Sequence, residues 1–354
     1  MRYLSCVLLL IFLAGCAASQ SEVKVGAMGP FTGYLAQFGE WLTNGFELAK
    51  EEINANGGIN GKQLVLVYED DKCIDNAAVT NGLKKFTEID NLPGMVGPFC
   101  GGPNALAGTF TNETDFFVVA PGDNHGHIGR YMVNTRYLLA KEAHSMADFA
   151  VQNDLKRVGI LYYDNEWGQG YRAEIRRYLA DHGGELVAAE SYVYDNLDVR
   201  SQLLKLKASN PDAVVIIDAT RGELFDQARE IGLNASFISE WEVETVEGKA
   251  RESIEGVHYF LPVGGDASFE EKFKAKYGHA PNMVERDSYD ALMLMAKALK
   301  NCPDQSPQCM TDYVTALKDY PGAGGNLTFN KESWSFDKPI VHKTVKDGKF
   351  VEVS

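Results

Sequence analysis

Apolar and polar positions follow two alternating rhythms along the chain. Val23–Met28 is a short apolar run that reads as a buried strand. From about Glu40 the period lengthens: Leu42, Phe46, Ala49 and Ile53 recur at spacings of four, three and four, the signature of a helix with one buried face. Asn56-Gly57-Gly58 stops that helix, because glycine tolerates the left-handed backbone of a helix C-terminus. Gln63–Tyr68 is the next strand. The result is a βαβ unit. Its first loop, Gly29–Gly39 with Pro30 and Thr32, lies beyond the strand's carboxyl end, where open parallel sheets bind ligands. The helix N-terminus directs free N–H groups into the same crevice.

The rhythm continues with a helix around Ala77–Ile89, a strand at Gly94–Phe99, a helix at Pro103–Phe110 and a strand at Phe116–Ala120. After a break near Asn134–Leu139 it restarts. Helix Glu142–Asn153 leads to strand Arg157–Tyr163, loop DNEWGQG, helix Tyr171–His182 and strand Glu185–Tyr192. Helix Val199–Ser209, strand Ala213–Asp218, helix Glu223–Ile231 and strand Ser236–Ser239 follow. Gly256–Pro262 leads back towards the first half, with helices at Phe269–Tyr277, Glu285–Leu299 and Met310–Lys318. In the tail, Asn326–Val353, the runs IVHKTV and KFVEV flank Asp347-Gly348, a hairpin signal. Short apolar strands alternating with helices define an α/β protein with parallel sheets covered on both faces. Two such units of similar length make two related lobes.

Charge narrows the functional classes. The 354 residues carry 49 acidic against 34 basic side chains, a formal charge of −15. Nucleic-acid binding would require a basic face, so no nucleic-acid partner is expected; the acidic balance serves solubility. The apolar run Leu4–Leu13 after Arg2 is shorter than the roughly 20 residues a spanning helix needs, and it fits a secretory signal. Four cysteines remain after Cys6 and Cys16. Cys302 and Cys309 are close in sequence, and Cys73 and Cys100 each follow a strand-like run, so two bridges would use every remaining thiol in an oxidising compartment. A four-thiolate metal site is the rival reading, but no C-x-x-C spacing occurs. His125-Gly126-His127 lacks further clustered ligands and reads as a solvated loop.

Leu13-Ala14-Gly15-Cys16 resembles a bacterial lipoprotein signal, with cleavage before Cys16 and lipidation of its thiol; residues 1–15 would be the signal and 16–22 a tether. The alternative is an ordinary signal peptide cleaved nearby at small residues. The stretches GPFTGYLAQFG, INANGGINGK, YEDDKC, VGPFC and VVAPG, with Trp167-Gly168-Gln169-Gly170, FDQAREIGL and RDSYDALMLMAKAL, resemble the leucine/isoleucine/valine-binding protein family. These are the type I periplasmic solute-binding proteins of ABC importers. The resemblance spans roughly Val23 to Phe350 and is most specific in the first 100 residues.

It implies two Rossmann-like lobes, 23–136 plus 263–326 and 137–262 plus 327–354, joined by hinge crossovers near Asn134–Tyr137, His258–Val263 and Leu327–Lys331. It implies a Cys73–Cys100 disulfide, hinge closure over a small solute, ABC permease partners and a monomer held at the cell envelope by its lipid anchor. No cofactor, metal or catalysis is expected.

The same resemblance locates a pocket. Gly101 stands where amino-acid-binding members often have a serine for the substrate carboxylate, and Gly122-Asp123-Asn124 stands for a loop that usually supplies a hydroxyl. An ionised Asp123 facing a substrate carboxylate would be repulsive, so either it points away or the ligand is not a plain α-amino acid. Phe38 and Trp167 fall at aromatic walls, the ammonium-binding carboxylate aligns near Ser239-Glu240-Trp241-Glu242 with Glu240 as its counterpart, and Tyr289 falls at a helix bordering the pocket. Asp218 and Arg221 lie at a crevice-facing strand end. Plainer readings stand beside these: Phe38, Trp167 and Tyr289 as core packing, Asp218 as a helix cap, Arg221 paired with Glu223 or solvent, and Asp70-Asp71 as surface. The same fold could serve a sensor feeding a signalling partner. Nucleophile-elbow, zinc-protease, P-loop and dinucleotide motifs are absent from the sequence, which argues against an enzyme.

Overall fold

A computed structural model of the chain describes residues 21–353, apart from Asp123, His125, His127, Ile128, Tyr194, Asp195, Ala219, Val263 and the side chain of Lys249. The expected signal, Cys16 and Asp123 therefore lie outside the described residues.

The first unit opens with β1 (Glu22–Gly29), α1 (Ala36–Ala55), β2 (Gln63–Asp70), α2 (Asn76–Lys84), β3 (Gly94–Val96), α3 (Gly101–Glu113), β4 (Phe117–Ala120) and β5 (Met132–Asn134). The second follows with α4 (Leu139–Gln152), β6 (Arg157–Tyr163), α5 (Glu166–Asp181), β7 (Glu185–Tyr192), α6 (Arg200–Ala208), β8 (Ala213–Ile216), α7 (Glu223–Glu230), β9 (Ser236–Ser239) and β10 (His258–Pro262). Helices α8 (Ala267–Tyr277), α9 (Met283–Asn301) and α10 (Pro307–Thr315) and strands β11 (Tyr320–Gly322), β12 (Gly325–Asn330) and β13 (Ser335–Asp337) come next. The chain ends with β14 (Ile340–Lys346) and β15 (Lys349–Glu352).

Two sheets result, an eight-stranded one ordered β11-β12-β13-β5-β4-β3-β1-β2 and a seven-stranded one ordered β15-β14-β10-β9-β8-β6-β7. The central pairs are parallel, and each sheet ends in antiparallel strands on one side. The inner strands FVVA and AVVI are buried at every position, as continuous apolar runs covered on both faces must be. Edge strands β2 and β7 carry the half-buried, mixed patterns QLVLVYED and ELVAAESY. Helix α1 packs closely on α9: a Cβ on Gly45 would overlap Ser288 Oγ and the Glu285 carbonyl, so only glycine lets the two backbones approach this far.

The chain passes between the sheets after β5, after β10 and after β13. The first two passages fall where the expected crossovers placed them. The third does not: Leu327–Lys331 overlaps β12, inside the first sheet. There β12 pairs with β13, Ser335 registers against Asn134, and the Trp334 indole donates to the Met132 carbonyl at 2.6 Å. The chain crosses only at Lys338-Pro339, after buried Phe336.

Local sequence explains two shifted boundaries. Helix α1 begins at Ala36, not Glu40, which places Phe38 in its first turn. The stretch DNEWGQG is not all loop. Asn165 caps α5 by accepting from Gly168 N at 2.8 Å, so Glu166 and Trp167 open that helix. Both expected disulfides form, Cys73–Cys100 and Cys302–Cys309, with Cα separations of 5.4 and 5.9 Å. Among the described residues no helix is long and apolar enough to cross a membrane.

Candidate functional site

The carboxyl ends of β1, β3, β6 and β8 point towards one cleft between the two units. The cavity there has a volume of about 300 Å³, at the small end of ligand sites. On the first unit it is lined by Phe38 from α1, Cys73–Cys100 with its neighbours Ile74 and Phe99, and Gly101-Gly102 at the start of α3. On the second it is lined by Tyr163, Glu166 and Trp167 around the start of α5, and by Asp218, Trp241 and Glu242. Arg136, just after β5, also lines it.

Each wall is set by its local structure. Asp70 at the end of β2 accepts from Phe31 N at 2.9 Å and from the Thr32 hydroxyl, fixing the loop that leads into α1. Phe38 then stacks on Phe99, ring centroids 5.2 Å apart, and meets Trp41 edge-on at 5.0 Å. Helix α3 carries no side-chain cap at Cys100, and Gly101 and Gly102 offer first-turn N–H groups without intrahelical acceptors. Pro103 has no N–H to add. Trp167 packs edge-to-face on buried Tyr171 at 5.5 Å and turns its other side to the cavity.

The second unit contributes carboxylates. Asp218 follows β8 with φ 92°, a left-handed backbone that turns the chain sharply at the strand end. It does not cap α7, whose N-cap Gly222 makes no side-chain bond. Asp218 instead accepts from Tyr192 Oη at 2.8 Å and Thr220 Oγ1 at 2.5 Å and pairs with Arg221 at 3.3 Å, which answers the expectation for both residues. Burial raises its carboxyl above the ordinary range, against the lowering effect of these partners.

Glu242 is 5 % exposed, and among the described residues its Oε2 has no hydrogen-bond partner. Burial, then the nearby Glu240 and Asp218 carboxylates, pushes it well above the usual carboxylate range. Behind it, fully buried Glu142 accepts from Tyr137 Oη, from Tyr171 Oη at 2.7 Å and from Trp241 N at 3.2 Å, holding the turn that carries Glu242. The Arg136 guanidinium lies 5.8 Å from the Phe99 ring and 5.4 Å from the Trp241 ring, a bridge between the units.

Phe38, Gly101, Trp167 and Asp218 line the cavity as expected from the sequence. Other expected residues do not. Glu240 is buried and accepts from Glu242 N at 2.9 Å, capping the turn; it is Glu242, two positions on, that lines the cleft. Tyr289 lies in the α9 core, packed on Phe269 with its hydroxyl donating to Glu52 at 3.0 Å. Gly122 is a close-approach glycine whose Cβ would overlap the Phe99 backbone. Asn124 is buried, with Nδ2 donating to the Arg136 carbonyl at 3.2 Å, and so ties its loop to the first crossover. Asp71 is fully buried rather than a surface carboxylate. Arg136 and Glu166 are cavity residues that the motifs did not reveal, whereas Trp241 and Glu242 belong to the stretch Ser239–Glu242 that the resemblance indicated, with Glu242 rather than Glu240 at the cavity.

Two parallel-sheet units facing each other across an aromatic, carboxylate-bearing cleft define a solute-binding protein. Residues 22–349 match the periplasmic binding protein family, and the chain belongs to it. It is 27 % identical over 319 residues to an amino acid binding protein of Pseudomonas aeruginosa, covering 85 % of this chain and 83 % of that one. It is 26 % identical over 378 residues to a Leu/Ile/Val-binding protein homolog of Brucella suis, covering 96 % and 93 %. Among solved structures, a leucine binding protein from Thermotoga maritima superposes with a TM-score of 0.81 at 20 % identity, over 94 % of this chain and 98 % of that one. The branched-chain amino acid substrate binding protein of Streptococcus pneumoniae with isoleucine gives 0.80 at 23 % identity, over 94 % and 99 %. The fold is that of a type I periplasmic binding protein, and the family is one of non-enzymatic solute binders.

Proposed function

We propose that the protein is the extracytoplasmic receptor of an ABC importer, closing about its hinge over a small amphipathic solute that carries a protonated amine. Branched-chain amino acids and amide- or amine-like relatives are the solutes to test. The observation that carries this reading is Glu242: a buried carboxyl group with one oxygen left without a partner among the described residues, at a cavity walled by Phe38, Phe99, Trp167 and Trp241. Burying such a group without a partner is costly, and an ammonium group supplies the missing charge and hydrogen bonds. The aromatic rings suit an apolar body and cation–π contact with the amine. Family membership supports delivery to permease subunits. Residues 1–15 would direct export, and Cys16 with the 16–22 tether would anchor a monomer to the cell envelope.

Closure has a physical basis in contacts that span the units: Tyr34 and Tyr163 hydroxyls lie 3.3 Å apart, and Trp41 meets Trp241. Contacts made by solute with both walls would shift the equilibrium towards the closed form. A thermal-shift screen of the purified protein against amino acids, amides, ureas, polyamines, amines and aromatic acids tests the reading. A concentration-dependent rise in Tm, lost in Glu242→Gln, is expected. A folded protein that responds to none of them is not a receptor for this class.

A further inference from the structure

Trp241 lines a second, much smaller cavity as well as the cleft. This one measures about 20 Å³ and lies between the two units, where the chain crosses from one to the other. Helix α9 of the first unit supplies Arg286 and Asp287, Leu261 comes from the end of β10, and Lys338 stands at the third passage. Asp287 is the hub. It is 1 % exposed, and Lys338 Nζ donates to its Oδ1. Its backbone carbonyl accepts from Thr135 Oγ1 at 3.1 Å, beside the first passage.

Three polar atoms on the lining residues are buried and have no hydrogen-bond partner among the described residues: Asp287 Oδ2, Trp241 Nε1 and Arg286 Nε. One is an acceptor and two are donors. Left bare, each would carry its full desolvation penalty. The charges around them are already matched. Lys338 pairs with Asp287, Arg286 Nη2 with Glu270 at 2.7 Å, and Glu244 with Lys343 at 2.7 Å. A cation in the cavity would face Lys338 and Arg286, and an anion would face Asp287. The partner these atoms call for is therefore neutral and small, accepts two hydrogen bonds and donates at least one. Water fits that description. A water needs roughly 10–15 Å³ of such space and ordinarily makes about three hydrogen bonds in a protein interior.

We propose that this cavity is the site of an ordered water that accepts from Trp241 Nε1 and Arg286 Nε and donates to Asp287 Oδ2, fastening the Trp241 wall of the second unit to α9 of the first at the hinge. Trp241 is then held to the first unit twice, by this water and by its edge-to-face contact with Trp41. The indole is fixed before solute arrives, which lowers the ordering cost of binding.

A high-resolution crystal structure of the purified protein tests the site directly. One water peak within hydrogen-bond distance of all three atoms is expected. A cavity without density, the three atoms turned onto protein partners, or a peak that anomalous scattering identifies as an ion overturns the proposal. In solution, protein labelled with ¹⁵N-tryptophan gives an indole N–H resonance for Trp241, identified by its loss in Trp241→Phe. That proton should show a dipolar cross-peak to water with the sign of a long-lived contact. The double variant Asp287→Leu/Lys338→Met replaces the ion pair by apolar side chains, and it should lose the cross-peak while circular dichroism stays native. A cross-peak that persists in the folded double variant, or a folded wild-type protein without one, overturns the proposal. If the double variant does not fold, the wild-type spectrum and the crystal structure decide it. None of these measurements uses a solute, so their failure leaves the receptor reading standing.

Discussion

Trp41 of the first unit and Trp241 of the second meet with ring centroids 6.4 Å apart and planes at 69°, an edge-to-face contact between the units. Trp41 is also braced by Phe38 and so by Phe99, which makes a chain of rings from the wall of one unit to the turn carrying Glu242 in the other. An aromatic pair of this geometry is worth about 1 kcal/mol beyond its area, or roughly fivefold in a binding constant when it forms only on closure. Trp41→Phe should therefore weaken solute binding about fivefold while Tm falls by only a few degrees. A double-mutant cycle with Trp241→Phe should show coupling of similar size. Additive effects on Kd would mean that the contact takes no part in closure.

Trp167 lies between the cavity and the core beneath it. It stands at the second position of α5, half-buried, with one side on Tyr171 and the other facing the cleft. Trp167→Ala should cost about 2 kcal/mol of binding, roughly thirtyfold in Kd, from lost apolar contact with the solute. Helix α5 keeps its Asn165 cap, so circular dichroism and Tm should change little. An unchanged Kd would remove Trp167 from the site.

The strands were legible because their apolar runs are continuous. FVVA and AVVI must be buried on both faces, and Asp347-Gly348 sets a hairpin between β14 and β15. Which sheet a tail strand joins is not written in its alternation, and for that reason the third crossover was displaced from 338–339 to 327–331. The start of α5 was hidden by Gly168 and Gly170, which look like loop residues. Yet a Cβ on Gly168 would overlap the Tyr163 carbonyl, so the helix needs glycine where it passes the end of β6. Glu240 and Glu242 are carboxylates two positions apart on one turn, and only the backbone bond from Glu242 N to Glu240 tells the cap from the cavity residue. Glu166 did leave a signal: an Asn-Glu pair directly after a strand reads as a helix cap with an acidic first turn at a sheet's carboxyl end.

The two disulfides should differ in their consequences. Cys73–Cys100 closes a sequence separation of 27 residues and lines the cavity, whereas Cys302–Cys309 closes only 7 and lies away from it. Chain-entropy estimates give about 3–4 kcal/mol for the longer loop and about 2–3 kcal/mol for the shorter. The double variant Cys73→Ser/Cys100→Ser should lower both Tm and solute affinity, because the bridge pins Ile74 and Gly101 beside one another's wall. Cys302→Ser/Cys309→Ser should lower Tm alone. Equal losses of affinity in the two variants would show that the first bridge has no special hold on the site.

Asp71 couples the same corner of the first unit to pH. It is fully buried, its Oδ1 accepts from Cys73 N at 2.8 Å, and its other oxygen has no partner among the described residues. Burial pushes its carboxyl up to about 7, opposed by the Cys73 N–H and assisted by the Asp70 charge. In the unfolded chain the same group titrates near an ordinary value of about 3.9. The folded state therefore binds the extra proton between these limits. Its stabilising contribution is complete below about pH 4 and is lost as pH rises to about 7, up to roughly 4 kcal/mol in all. Asp71→Asn keeps the acceptor for Cys73 N and removes the titration. Calorimetric Tm values should then coincide for variant and wild type near pH 4 and separate as pH rises, with the variant more stable at pH 8. Parallel Tm curves across that range would show that Asp71 carries no such linkage, and that an unseen donor stabilises its charge in the fold.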